Sequence, residues 1–211
     1  MERLLNDENQ KQIKEMLSIM KDKVNITFFH EENNEGSEIT LKLFNELKEL
    51  NNKINFTHYN YQDNLELAKE YNINRSLSYV IYNDNEKVNG AFYGVPLGHE
   101  INTLLTTLVD ASNANPLYDE KTLKEIQSIK EPTNIKVFVT TSCPHCPGAA
   151  INALRLSKLN KNITSEVYEV QSNMDVGTKY NVSGVPKILI NETKELMGNQ
   201  PITEFLKKIN N

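Results

Sequence analysis

"NIKVFVTTSCPHC", residues 134–146, falls in register with "NITFFHEENNEGS", residues 25–37, when the chain is set against itself with a shift of 109 residues. The register runs without a gap from residue 25 to 81. Of those 57 pairs 13 are identical, among them Phe29/Phe138, Leu47/Leu156, Leu50/Leu159, Ile54/Ile163, Tyr59/Tyr168 and Tyr71/Tyr180. A repeat of this length is a domain rather than one turn of a solenoid. Past residue 81 the shift becomes 104, which matches Gly94/Gly198 and Glu100/Glu204, so the first copy carries about five extra residues in "YNDNEKVNG", 82–90. Two copies of one fold are expected, over 1–114 and 115–211, parted near "SNANP", 112–116.

Each copy reads the same way. An amphipathic helix leads, carried by Ile13, Met16, Leu17 and Met20 in the first copy and by Leu123, Ile126 and Ile129 in the second. A short apolar strand follows ("ITFF", "IKVFV"), then a loop and a long helix with Leu41, Phe44, Leu47 and Leu50 on one face. A second strand ("INFTHY", "ITSEVYEV"), a short helix, a hairpin opened by "SYVIY" or "KILI", and a last helix ("GHEINTLLTTLV", "ITEFLKKI") complete the copy. Strand–helix–strand followed by hairpin and helix predicts an α/β layered domain, each copy with a central mixed β-sheet flanked by helices.

The 211 residues carry a net charge of −5, which is not the footprint of a nucleic-acid binder. No apolar run reaches the ~18 residues of a membrane span. The opening "MERLLNDENQ" is polar and acidic, unlike a signal peptide. The expectation is a cytoplasmic protein with neither a nucleic-acid nor a membrane partner.

Both cysteines of the chain lie in "CPHC", Cys143 and Cys146, between a strand and a helix. The expected placement is Cys143 near the helix N-cap and Cys146 in its first turn. Unpartnered amide N–H groups at a helix start favour a thiolate and lower its pKa. A protonated His145 would add to that effect, and Pro144 favours the start of a helix. The pattern points to a nucleophilic Cys143 with Cys146 close enough to resolve a mixed disulfide. A structural zinc site needs four ligands, and His30, His58 and His99 show no ligand spacing, so no metal and no cofactor are expected. Structural disulfides are rare in cytosolic chains. Val185–Pro186, just before an apolar strand, reads in isolation as a turn. Two other classes compete with redox exchange: a peptide-binding or scaffold module with an incidental CxxC, and a metal cluster shared between chains through Cys143.

"VFVTTSCPHCP" (137–147) with "YNVSGVPKILI" (180–190) resembles a thioredoxin-fold domain, with Val185–Pro186 as its cis-proline loop. Two such copies, the first closed by "FYGVPLGHEINTLL" (92–105), resemble the glutaredoxin-like protein disulfide oxidoreductases of archaea and thermophilic bacteria. The chain is also similar to the tandem thioredoxin-fold segment that begins the flavoprotein subunit of alkyl hydroperoxide reductase. The resemblance implies thiol–disulfide exchange with protein substrates. Cys143 would attack, Cys146 resolve, Pro144 and His145 tune the couple, and Val185 and Pro186 bind an extended substrate segment. It further implies recycling by a thioredoxin-reductase-like flavoprotein, with a peroxidase among the possible partners.

The chain departs from that pattern in the first copy, where Asn34 and Ser37 stand in place of the cysteines and Leu77 in place of Pro186. That copy is expected to be redox-inactive, with Leu77 trans and ordinary. The position six before Cys143, an acid in thioredoxins, is Val137, and "MGNQP" (197–201) lacks the glycine pair by which glutaredoxins hold glutathione.

Overall fold

The computed structural model describes residues 3–84 and 88–211. Residues 85–87, within the loop expected to carry the insertion, lie outside them. In chain order the elements are α1 (Asp7–Leu17), β1 (Val24–His30), α2 (Glu35–Leu50), β2 (Ile54–Asn60), α3 (Leu65–Glu70), β3 (Ser78–Tyr82), β4 (Gly90–Tyr93), α4 (Ile101–Ala111), α5 (Glu120–Ser128), β5 (Thr133–Val139), α6 (Cys146–Leu159), β6 (Ile163–Glu169), α7 (Met174–Lys179), β7 (Lys187–Ile190), β8 (Lys194–Met197) and α8 (Ile202–Asn210). Short 3-10 turns precede α3 and α4.

The second half repeats the first element for element. In each, two parallel strands are joined by a long helix, β1–α2–β2 and β5–α6–β6. Each first strand also pairs antiparallel with the opening strand of a hairpin. The hairpins record the change of shift directly. Ser78 pairs with Tyr93, and Lys187 pairs with Met197: the first residues are 109 apart and the second 104.

The sequence predicts a sheet for each copy, and the structure joins them into one. The strand order is β2-β1-β3-β4-β6-β5-β7-β8. Strand β4 runs parallel to β6, with Gly90 opposite Ser165 and Tyr93 opposite Tyr168. A Cβ on Gly90 would lie 2.8 Å from Ser157 Oγ, 2.9 Å from Ser165 Oγ and 3.0 Å from Leu154 Cδ2, so a side chain at residue 90 would have to displace those groups where the strands and α6 meet. Three further contacts reinforce the seam. The Tyr93 and Tyr168 rings stack at 4.7 Å. Arg155 on α6 donates from Nε and Nη2 to both carboxylate oxygens of Asp110 on α4, at 2.6 and 3.1 Å. Arg75 donates from Nη1 and Nη2 to the two carboxylate oxygens of Asp175, at 3.0 and 2.8 Å, and from Nη1 to Asn173 Oδ1 at 2.8 Å.

Alternation along the strands sends neighbouring side chains to opposite faces. Phe28 enters a core that runs unbroken through both halves, from Phe44 and Phe92 to Val137, Leu156 and Phe205. Phe29 enters the core of the other face, with Val80, Tyr93, Phe138 and Tyr168. The leading helices are less buried than their pattern suggests. Met16 is exposed, and in α5 Ile126 is fully buried while Leu123 is half-buried. Met20 and Ile129 are buried but lie beyond the ends of α1 and α5.

Gly90→Val should destabilise the chain by about 1–3 kcal/mol, the usual cost of forcing extra carbons into a packed interior. Urea unfolding followed by circular dichroism measures this; an unchanged midpoint would mean that the seam does not need the close approach.

Candidate functional site

Cys143 and Cys146 are joined by a disulfide, with Cα atoms 5.5 Å apart. Helix α6 begins at Cys146 itself, with His145 in the N-cap position. Cys143 therefore lies in the loop before the helix rather than at its N-cap, and the proline within the first helical turn is Pro147, not Pro144. Cys143 N–H donates to Thr140 O at 3.1 Å, and Cys146 N–H to Cys143 O at 3.4 Å, closing two successive turns. Cys146 is fully buried against the small residues Ala149, Ala150 and Ala153, whereas Cys143 is partly exposed between the exposed Ser142, Pro144 and His145.

The Val185–Pro186 peptide bond is cis, as the resemblance leads one to expect. Cys143 Sγ lies 3.9 Å from Val185 O, so this loop and the disulfide share one surface. Gly198 N–H donates to Pro186 O at 2.8 Å and ties the loop to the hairpin's far strand.

The first half has the same frame without the sulfur. Asn34 caps α2, and its Oδ1 accepts from Ser37 N–H at 2.9 Å. A hydrogen bond thus spans the two positions that the disulfide spans in the second half. Helix α2 starts at Glu35, one residue after its cap and two residues earlier in the repeat than α6. Gly94 N–H donates to Leu77 O at 2.7 Å, matching Gly198 and Pro186. Leu77 is trans, but it is not ordinary: its φ of 52° lies in the left-handed region that leucine rarely adopts. The half-buried Leu77 packs against the main core, which holds it there.

Sequence reasoning passed over Glu100. It ends the stretch "YGVPLGHE" (93–100), but its partner under the 104-residue shift, Glu204, is a surface residue within 3.8 Å of Lys207. Glu100 is fully buried. It belongs to the 3-10 turn Gly98–Glu100, which packs against α6. Its Oε2 accepts from Thr103 Oγ1 at 2.7 Å, while Oε1 has no partner. Burial, with the nearby Glu169 carboxylate adding to it, pushes the Glu100 carboxyl up to about 7. A buried acid that exchanges its proton near neutrality is suited to proton transfer. The structure also brings together His30 and His58, whose rings lie 5.2 Å apart on neighbouring strands. Among the described residues no set of three His, Cys, Asp or Glu side chains clusters as a metal site. No helix among them is long and apolar enough to cross a membrane.

Fold and site together define a tandem thioredoxin-fold protein in which one half carries a disulfide-bonded CxxC. Residues 133–211 match the family model described as "Thioredoxin domain". Over 207 residues the chain is 24% identical to the F component of alkyl hydroperoxide reductase from Staphylococcus epidermidis, covering 98% of this chain and 38% of that protein. The chain thus spans about two fifths of the length of that relative. Among solved structures, the NTD_N/C domain of the Enterococcus faecalis alkyl hydroperoxide reductase AhpF superposes with a TM-score of 0.89 at 19% identity, covering 97% of this chain and 99% of that one. A protein disulfide oxidoreductase from Aeropyrum pernix gives 0.88 at 24% identity, covering 98% and 94%.

The raised Glu100 pKa sets the direction of a pH effect. Below about 4.5 the carboxyl is protonated in both folded and unfolded chains. Between about 4.5 and 7 only the folded chain keeps the proton, so stability falls as pH rises and levels off above 7. The full span is worth roughly 3 kcal/mol. Glu100→Gln removes the charge, so its advantage over the wild type should be absent at pH 4.5 and greatest above pH 7. Unfolding midpoints that differ equally at both pH values would contradict the assignment.

Proposed function

We propose that this chain is a thiol–disulfide oxidoreductase that exchanges the Cys143–Cys146 pair with disulfides or dithiols of protein substrates. One observation carries the reading: a partly exposed cysteine is bonded to a fully buried one beside the Val185–Pro186 loop. In the reducing direction the Cys143 thiolate attacks a substrate disulfide, forms a mixed disulfide and releases one substrate thiolate. Cys146 then gives up its proton and attacks Cys143 Sγ. The second substrate thiolate leaves, and the pair returns to the disulfide found here. Two electrons pass from the protein dithiol to the substrate disulfide.

Glu100, held on the turn that packs against α6, is the group we assign to take the Cys146 proton. Val185 offers its backbone to an extended substrate segment, and Pro186 fills the adjoining surface without a competing N–H. Pro144 and His145, both exposed beside Cys143, tune the couple and meet the substrate.

On this reading residues 115–211 form the active domain and residues 1–114 a redox-inactive one. In a cytoplasmic setting the pair would be a catalytic disulfide, not a staple. The similarity to the F component of alkyl hydroperoxide reductase supports a thioredoxin-reductase-like flavoprotein as the source of electrons and a peroxidase as one acceptor.

Reduction of insulin by dithiothreitol tests the proposal. The chain should accelerate it, Cys143→Ser should abolish the effect, and Cys146→Ser should accumulate mixed disulfides that a non-reducing gel resolves. Full activity in Cys143→Ser would leave the pair incidental and favour the scaffold reading.

A further inference from the structure

The first half touches the redox loop at a defined point. Beyond β4 the chain turns through Gly98–Glu100, and His99 N–H donates to Thr141 O at 2.8 Å. A Cβ on Gly98 would stand 2.2 Å from that same carbonyl oxygen. Thr141 lies two residues before Cys143, and the adjacent Thr140 O receives the Cys143 N–H. On its other side Thr141 Oγ1 is 3.5 Å from Gln171 Oε1, at the end of β6.

Gly98 has φ +57°, but the dihedral alone does not explain a glycine. Asn33, Asn72, Asn113, Asn181 and Asn191 all adopt φ between 49° and 57° in this chain. Asparagine serves there because its short polar side chain tolerates the left-handed region. At position 98 any Cβ, asparagine's included, would run into the Thr141 carbonyl. The missing side chain therefore makes room for a backbone-to-backbone approach.

We propose that Gly98 and His99 are positioning residues of the redox reaction: a backbone clasp from the inactive half that holds Thr141 and, through the Thr140–Cys143 turn, sets where Cys143 stands. The inference rests on the reading of Cys143–Cys146 as the exchanging pair. It gives the inactive half a part in the chemistry that packing alone would not. A thiolate must approach a disulfide in line, and misplacement by about 1 Å can cost a reaction about a hundredfold.

The test uses the full-length chain as Gly98→Ala and Gly98→Asn. Three quantities are read: insulin turnover, the rate of Cys143 alkylation against pH in the reduced protein, and the thermal midpoint. Gly98→Ala and Gly98→Asn should slow turnover about tenfold or more and shift the alkylation profile by a similar factor in both. Wild-type rates in Gly98→Asn would show that only the dihedral matters and overturn the clasp. So would a lower midpoint with an unchanged alkylation profile in both Gly98 variants. Amide exchange in the wild type needs no variant to fold: the exposed His99 N–H should be strongly protected, and unprotected exchange overturns the proposal. A wild type unable to reduce insulin sinks the oxidoreductase reading instead, and the alkylation profile then decides the clasp by itself.

Discussion

The parallel pairing of β4 with β6 is the constraint on which the rest of the molecule depends. It turns two four-stranded sheets into one of eight and leaves neither half with a free strand at the seam. Once the strands are paired, α4 has to lie against α6, because both helices cover the same face of the joined sheet. That contact brings the buried Asp110 carboxylate to the partly exposed Arg155, with both guanidinium–carboxylate bonds part-buried. A buried carboxylate left without its partner costs several kcal/mol, about 3–5 in comparable cases, so the pair fixes the arrangement more than it stabilises it. At its other end α4 follows directly on the turn that ends at Glu100, and the same packing delivers Gly98 and His99 to Thr141. The seam and the site are thus two ends of one helix-to-helix contact.

The half without cysteines shows what the CxxC frame needs in order to fold. A chain leaving β1 or β5 must turn sharply before its long helix, and the turn has to be closed. In the second half a covalent bond spans Cys143 and Cys146; in the first the Asn34 carboxamide accepts the Ser37 N–H across the same positions. An N-cap of this kind contributes about 1 kcal/mol to the helix it opens. Leu77 keeps its carbonyl bonded to Gly94 just as Pro186 does to Gly198. The frame survives the loss of both cysteines and of the proline because its backbone hydrogen bonds do not depend on them.

Much of this was legible in the sequence. The 109-residue register paired β1, α2, β2, α3 and β3 with their counterparts, and the change to 104 after residue 81 reappears as the offset between the two hairpins. Cys143, Cys146, Val185 and Pro186 come together as their motifs suggest. What escaped has a common physical cause: it depends on how one half meets the other. Nothing in "GAFY" marks it as the partner of "ITSEVYE", since both are short apolar strands, and Gly90 signals a close approach without saying to what. Glu100 is an ordinary acid at a helix start until α6 and the second half of the sheet bury it. The left-handed Leu77 was hidden by its residue type, which gives no hint of positive φ. His30 and His58 sit 28 positions apart, and only the pairing of β1 with β2 makes them neighbours.

The repeat raises a further question about the outer edges. Strand β8 is the counterpart of β4, and β2 the counterpart of β6, so a second chain could in principle repeat the internal seam and continue the sheet. The residues at those edges work against it. Lys194 occupies the place of Gly90, and Glu195 that of Ala91. A side chain at the Gly90 position would enter the contact now made with Ser157, Ser165 and Leu154, and lysine is among the residues that protect open strand edges. The helix face is altered as well. Glu46 stands where α6 has Arg155, and its carboxylate accepts the backbone N–H groups of Leu4 and Leu5 at 2.6 and 2.9 Å. The segment before α1 therefore engages on α2 the position through which α6 holds α4. Small residues where the halves must join and charged residues where copies could join make the seam a contact within the chain, and the two outer edges, though built on the same fold, are not equivalent to it.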